Sequence, residues 1–325
     1  MATEWEVLLP KEIDPSGPES ITDFARCTGM DEYSSSDDVL DDIGRYDAVI
    51  LRVATLDADV IDRADRLQVI AKHGAGLDNV DIEAASRHDV VVCNTPGANS
   101  RSVAEHAIAL LFAVRRNLRT ADRHVRDGGW ERSVHTGREL TNDTLGLFGF
   151  GAIAREASDL AHGIGQNVLT YDPYVAEEDV PTRVERVSEF GDLFARSDAV
   201  SVHAPLTQET RHAISTDELA ALGETGVLLN TARGAVVDED ALLEALEAGR
   251  LGGAGLDTFE DEPPGEDHPL YARDDVVLTP HVGGVTHEAL GRMSQRAAAN
   301  VRTVYEGGLP KSTVNREALD REGDR

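Results

Sequence analysis

The 325-residue chain is poor in lysine, in cysteine, in aromatic residues and in positive charge generally. Its two cysteines, Cys27 and Cys93, make neither a metal-ligand spacing nor a disulfide framework, so the expectation is two reduced thiols and no bound metal. No apolar run reaches the roughly 18 residues a membrane span requires, and Met1–Pro10 lacks the pattern of a secretory signal. A cytoplasmic location is expected. Basic residues number 31 against 60 acidic ones, for a net charge of −29, and lysine occurs only at positions 11, 72 and 311. Such a field repels nucleic acid and anionic membranes, which excludes both as partners. The acidic residues are spread along the chain rather than gathered in a tail. They describe the solvated surface of a folded protein, and we expect adaptation to a high-salt cytoplasm, where screening removes the self-repulsion.

What the chain does have is a strand–turn–helix–strand unit over residues 144–173. Leu145–Phe148 is a short apolar run suited to a strand buried on both faces. It runs into Gly149-Phe150-Gly151-Ala152-Ile153-Ala154, a G-x-G-x-x-A turn, then a helical pattern over 152–162 and a second strand, Val168–Tyr171, that ends at Asp172. Gly149 suits the tight turn, Gly151 lets the backbone approach a pyrophosphate, and Ala154 keeps helix and strand close. The N-terminal amides of the helix face the phosphates. Asp172 lies 21 residues beyond Gly151, where a carboxylate can accept hydrogen bonds from an adenosine ribose. A carboxylate repels a 2′-phosphate, and Pro173-Tyr174-Val175 offers no arginine, so NAD is expected over NADP.

Around this unit, strands and helices alternate. In the first part we expect strands at Trp5–Leu9, Ala48–Val53, Val69–Lys72 and Val90–Cys93. Helices are expected at Ile21–Thr28, Asp59–Arg66 and Asp81–His88, with a polar loop over Asp31–Asp42. After a hinge at Thr95–Ser100 comes an amphipathic helix, Val103–Arg116, with Ser102 and Glu105 spaced as a capping box. Its apolar face is wide enough to be buried within its domain or at a subunit interface, and a homodimer is expected. From 144 to 280 the alternation resumes, and a last helix, Thr286–Tyr305, returns the chain to its first domain. The fold class is therefore α/β with two doubly wound parallel-sheet domains: a substrate-binding domain of residues 1–98 and 287–325, and an inserted NAD-binding domain of residues 99–286.

Ligands of open α/β sheets bind beyond the carboxyl ends of the strands. Arg233, Glu262 and His281 each follow one of three successive strands of the inserted domain. An arginine fork can hold the planar carboxylate of a 2-keto acid and polarise the adjacent carbonyl. A protonated histidine can neutralise the alkoxide formed by hydride delivery, and a neighbouring carboxylate raises its pKa and orients its ring. These types in this order imply a redox site for a small anionic 2-hydroxy or 2-keto acid.

The chain resembles the D-isomer-specific 2-hydroxyacid dehydrogenases over nearly its whole length. The resemblance rests on KHGAGLDNVD (72–81), NTPGANSRSVAEHA (94–107), GFGAIA (149–154) with Asp172, HAPLTQET (203–210), LLNTARGAVVDEDAL (228–242), GLDTFEDEPP (255–264) and PHVGGVT (280–286). It implies a flavodoxin-like substrate domain and a Rossmann NAD domain. It implies a catalytic Arg233, an orienting Glu262 and a proton-donating His281. It also places substrate-carboxylate amides at Ala75 and Gly76, a further substrate contact at Asn99, a nicotinamide partner at Asp257, and cofactor contacts at Ala152, Ile153, Thr207 and Thr231. Arg52-Val53-Ala54-Thr55 sits where D-3-phosphoglycerate dehydrogenases carry an Arg-Ser-x-Thr segment that meets the substrate phosphate, with Val53 in place of the serine. The substrate alternatives are thus D-3-phosphoglycerate, glyoxylate, hydroxypyruvate or another keto acid, with phosphite or formate on the same scaffold also open. An NADH-sensing corepressor-like protein is the alternative of another class. The chain stops near its returning helix, so a C-terminal regulatory domain and feedback by serine are not expected.

Overall fold

Short runs such as Ala48–Leu51 and Val69–Lys72 are buried along their whole length, the mark of strands covered on both faces. The computed structural model describes residues 4–30 and 40–322. The chain divides into two compact units, Met1–Asn99 with Val285–Arg325, and Ser100–Gly284.

The first unit carries a five-stranded, wholly parallel sheet built from β1 (Trp5–Leu8), β2 (Ala25–Thr28), β3 (Ala48–Leu51), β4 (Val69–Lys72) and β5 (Val91–Cys93), in the order β2-β1-β3-β4-β5. This is the flavodoxin-like order, with its switch point between β1 and β3. Aspartates start the covering helices: Asp57 accepts from the Val60 amide and Asp81 from the Ala84 amide, as N-caps do. Thr286 caps the returning helix, His287–Tyr305, by accepting from the Ala289 amide. That helix buries Ala297, Ala298 and Val301 against Val7, Ile50 and Ala71 of the sheet.

Two expectations fail here. Ile21–Thr28 is not a helix. A four-residue helix forms earlier, at Ser16–Glu19, next to Pro15 and with Pro18 inside its first turn, where a missing N–H costs nothing. The later residues pair with β1 in the register Trp5↔Ala25 to Leu8↔Thr28, so sheet hydrogen bonds override the local pattern. The Asp59–Arg66 helix shrinks to Ala58–Ile61. Of the polar loop expected at Asp31–Asp42, residues 31–39 lie outside the described residues.

The second unit has seven parallel strands: β6 (Thr144–Phe148), β7 (Asn167–Tyr171), β8 (Val184–Arg186), β9 (Ala199–Val202), β10 (Val227–Asn230), β11 (Gly253–Leu256) and β12 (Val276–Leu278). Their order, β12-β11-β10-β9-β6-β7-β8, is the doubly wound dinucleotide-binding order with one strand added, and it reverses between β6 and β9. The long helix begins at Ser100 and ends at Arg115. Ser102 therefore lies within it and forms no capping box with Glu105, which instead pairs with Arg101 at 2.7 Å. The wide apolar face of the helix is used inside this unit. Gly253 and Gly255 of β11 lack the side chains that would collide with Val114 and Leu110, so the helix lies directly on the sheet. Helices Leu118–Arg126 and Arg316–Glu322 and strand β8 were not foreseen. Leu118–Arg126 buries no residue, and its short stripe of Leu118, Ala121 and Val125 is set among charged residues. No helix among the described residues is long and apolar enough to cross a membrane.

Candidate active site

The turn after β6 has the geometry its glycines suggest. Gly149 adopts φ +89°, and a β-carbon there would lie 2.8 Å from the Ala204 amide nitrogen. Gly151, in extended conformation, precedes helix Ala152–Gly163, and a β-carbon on it would meet nothing within 4 Å. The first-turn residues Ala152 and Ile153 thus open their amides toward uncrowded space, as a pyrophosphate requires. Ala154 is fully buried against the sheet. Asp172, at the end of β7, accepts from the Phe150 amide at 2.8 Å through one oxygen and from the Tyr174 amide at 2.9 Å through the other. The carboxylate therefore also fastens the glycine turn to the neighbouring strand. Thr207 stands in an exposed turn, its hydroxyl accepting from the amides of Glu209 and Thr210. Thr231, just past β10, is buried with its hydroxyl oxygen lacking a hydrogen-bond partner. A buried hydroxyl without a partner is costly, and a bound polar group removes that cost. These features fit a dinucleotide. Sequence reasoning missed Arg186, whose guanidinium donates to the Asp172 carbonyl at 3.2 Å from the unforeseen strand β8.

Arg233 is held by the residue that ends β10. The buried Asn230 side chain donates to the Arg233 carbonyl at 2.9 Å and accepts from the Ala232 amide at 3.0 Å, which clamps both ends of the short loop. Arg233 itself donates to the Ala232 carbonyl at 2.7 Å. The next residue, Gly234, is pressed against the backbone of Phe259 and Glu260, so the loop after β10 and the loop after β11 are in direct contact. The second loop carries Glu262. One of its carboxylate oxygens accepts from the Phe259 amide at 3.1 Å, and the other lies 2.7 Å from His281 Nδ1. With Nδ1 engaged, Nε2 is the ring nitrogen left to face a substrate, and the His281 side chain is 52% exposed.

His281 has φ +52°, a left-handed conformation that costs a residue other than glycine about 1–2 kcal/mol. Asp257 holds it there. Its carbonyl accepts from the His281 amide at 2.8 Å, while its carboxylate accepts from the amides of Val282 at 2.9 Å and Gly283 at 2.7 Å. The carboxylate also accepts from the Thr279 hydroxyl at 2.6 Å. Burial works against this anion, but the hydrogen bonds from His106, Thr279, Val282 and Gly283 outweigh it and lower its pKa. The hydrogen bond to Glu262 raises the pKa of His281 against the effect of burial, helped by the charges of Glu262 and Asp257 and opposed by Arg233. For Glu262, burial pushes the pKa up, yet the bond to His281, the charge of that ring, the Phe259 amide and Arg233 bring it below its ordinary value. Arg233, Glu262, His281 and Asp257 thus form one electrostatic cluster: a guanidinium beside an imidazole whose charged form the two carboxylates favour.

The remaining expected residues belong to the first unit. Arg52 donates to the Glu12 carbonyl at 3.2 Å. Its own carbonyl accepts from the buried Lys72 ammonium at 2.7 Å, which also donates to Asn79 at 2.6 Å, so the end of β4 is tied to the Arg52–Thr55 loop. Gly74 turns with φ +147°, the Ala75 carbonyl accepts from Asn94 at 2.8 Å, and Gly76 follows. Asn99 is the last residue of this unit before the chain leaves it. Lys72, Asn230 and His106 were not singled out in the sequence. The rarity of lysine was a usable signal for the first, and nothing in the pattern marked the other two.

Residues 108–283 match the family model described as D-isomer specific 2-hydroxyacid dehydrogenase, NAD binding domain. A D-3-phosphoglycerate dehydrogenase of Archaeoglobus fulgidus is 36% identical over 312 residues, covering 94% of this chain. The chain spans 59% of that protein's length. A glyoxylate reductase of Korarchaeum cryptofilum is 36% identical over 321 residues, 96% of either chain. Among solved structures, the TT0316 protein of Thermus thermophilus superimposes with a TM-score of 0.87 at 34% identity, covering 95% of this chain and 99% of that one. With its dinucleotide-binding turn, its arginine, glutamate and histidine cluster, and this breadth of similarity, the chain belongs to the D-isomer specific 2-hydroxyacid dehydrogenase family.

Proposed function

We propose that the protein is an NAD-dependent D-2-hydroxyacid dehydrogenase acting on a small anionic 2-hydroxy or 2-keto acid. The observation that carries this is the 2.7 Å contact between His281 Nδ1 and Glu262, within the field of Arg233. A nicotinamide held by this unit would supply the chemistry of hydride exchange with C2 of the substrate. Arg233 holds the substrate carboxylate and polarises the adjacent carbonyl. His281 Nε2 gives its proton to the carbonyl oxygen in reduction and takes the hydroxyl proton in oxidation. Glu262 keeps the ring oriented and charged. Gly149, Gly151, Ala152 and Ile153 take the pyrophosphate, Asp172 the adenosine ribose, and Asp257, Thr207 and Thr231 complete the cofactor contacts. The amides of Ala75 and Gly76, with Asn99 and Arg52, serve the substrate.

Two kinds of substrate, one phosphorylated and one not, are each favoured by one feature. Arg52 suits the phosphate of D-3-phosphoglycerate, whereas Val53 removes a hydroxyl such a phosphate would use and so favours glyoxylate or hydroxypyruvate. We further propose a cytoplasmic, salt-adapted homodimer. In support, Leu118, Val125, Trp130 and Val134 expose apolar surface along one segment of the second unit. A panel of 2-keto acids with NADH at high salt tests the whole reading, using the parent, Arg233→Ala and His281→Ala. Both variants should lose at least about 100-fold in kcat/KM, the scale of a positioned general acid. Near-parental reduction of every accepted keto acid by either variant overturns the assignment.

A further inference from the structure

We propose that His106 is a positioning residue for the reaction: from helix Ser100–Arg115 it locks the Thr279–Gly283 loop, through Thr279 and Asp257, in the strained backbone that aims His281. This rests on the function proposed above and adds a residue to it.

The hydrogen-bond directions follow from the distances. The Thr279 hydroxyl is 2.6 Å from an Asp257 carboxylate oxygen, which can only accept when ionised, so the hydroxyl hydrogen is spent there. His106 Nε2, 2.9 Å from the same hydroxyl oxygen, must then be the donor, which assigns the Nε2–H form of the ring. That N–H also lies 3.3 Å from the carboxylate. The ring packs on the loop as well: a β-carbon on Gly283 would lie 3.4 Å from His106 Cδ2 and 2.9 Å from Asp257. His106 thus fixes the rotor of Thr279, Thr279 and the ring fix the carboxylate, and Asp257 grips the three consecutive amides of His281, Val282 and Gly283. Without His106, the Thr279 hydroxyl is free to turn toward the Leu256 carbonyl at 3.5 Å, and the hold on His281 loosens. A side chain that merely satisfied a buried carboxylate would affect stability alone. One that aims His281 must affect proton transfer.

The test uses the full chain with NADH and its best keto acid, comparing His106→Leu, His106→Gln and the nearly isosteric Thr279→Val. Gln can return an N–H near the Nε2 position, whereas Leu cannot. The charged groups acting on His281 are Glu262, Asp257 and Arg233, and none is altered. His106→Leu and Thr279→Val should lower kcat about 10- to 100-fold, as small misplacements of a reacting group do, with keto-acid KM within about 3-fold. The high-pH limb of the reduction profile should move to lower pH, as should the NMR titration of the His281 ring, and His106→Gln should restore most of both. Unchanged kcat and unchanged His281 titration in both Leu and Val variants overturn the proposal. Equal impairment of the Leu and Gln variants, matched by lost thermal stability and an unshifted titration, overturns it too. His281→Ala is assayed alongside: if it alone keeps activity, the underlying function fails, whereas if it is inactive and His106→Leu is normal, only the role of His106 fails.

Discussion

Gly234 and Phe259 meet backbone to backbone, so closely that a β-carbon on the glycine would overlap the phenylalanine carbonyl. This contact joins the loop that carries Arg233 to the loop that carries Glu262, and neither side has a flexible side chain that can yield. Gly234→Ala must therefore separate the two loops. We expect a loss of about 1–3 kcal/mol of stability, typical of overpacking, read from urea unfolding. We also expect kcat/KM for keto-acid reduction to fall at least about 10-fold, since Arg233 moves away from Glu262 and His281, the residues proposed to act with it. A variant as active and as stable as the parent would show that the two loops can part without consequence.

Glu262→Gln separates the charge of the carboxylate from its shape. His281 has a raised pKa, with the hydrogen bond to Glu262 as the largest cause. In the proposed mechanism reduction needs the protonated ring, so its rate should fall as pH rises through that pKa. A neutral glutamine leaves burial and Arg233 to act against the charged ring, and the high-pH limb should move to lower pH. Stability follows the same linkage. The contribution of His281 is full below its ordinary 6.5 and is lost as pH rises through its raised value. That of Glu262 is full above its ordinary 4.5 and is lost as pH falls through its lowered value. The variant should therefore melt below the parent between those limits and approach it at either extreme. The gap should be small because the ring is half exposed. Coincident pH–rate profiles for the two proteins would remove Glu262 from its orienting role.

Much of this site is legible in the sequence alone, for a physical reason. The residues that end buried parallel strands are displayed on one rim, so strand runs located Arg233, Glu262, His281 and Asp172 without knowledge of their contacts. The same reasoning failed where the deciding interaction is long-range. Ala25–Thr28 becomes a strand only because β1 needs a partner on that side. Strand β8 has two exposed residues out of three and no apolar run to betray it, and Arg186 went unnoticed with it. His106 sits within an apolar helix, where a lone histidine has no spacing that marks its hydrogen bonds. Asp257 was assigned to the cofactor, yet most of its visible bonds support the loop of His281. A carboxylate's load of backbone amides is legible only in three dimensions.

Arg186 makes the cofactor preference testable in a specific way. It reaches the Asp172 carbonyl from β8, which puts a guanidinium on the same residue whose carboxylate disfavours a 2′-phosphate. Asp172→Ser removes the repulsion and keeps a hydroxyl that can accept from the Phe150 amide. The ratio of kcat/KM for NADPH over NADH should rise about 10- to 100-fold, the value of about 1–3 kcal/mol for gaining a charged hydrogen bond or relieving a like-charge repulsion. Adding Arg186→Glu should cancel the gain. If the double variant uses NADPH as well as the single one, Arg186 plays no part in cofactor choice.

The acidic surface should show itself as a dependence on salt with a definite shape. A net charge of −29 on 325 residues sets like charges close together over the whole surface. Many of the ion pairs that offset it, such as Arg45–Asp42 and Arg126–Asp122, are themselves exposed and contribute little. The Debye length falls from roughly 30 Å at 0.01 M to about 3 Å at 1 M, so screening of the repulsion is nearly complete by about 1 M. Exclusion of solutes from the protein surface, the other route by which salts stabilise proteins, keeps growing with concentration. The melting temperature in potassium chloride should therefore climb steeply up to about 1 M and flatten beyond it, whereas sucrose, which screens nothing, should give only a gradual rise. A melting temperature that is flat below about 1 M, or that rises equally with sucrose, would mean that self-repulsion is not what limits this fold at low salt.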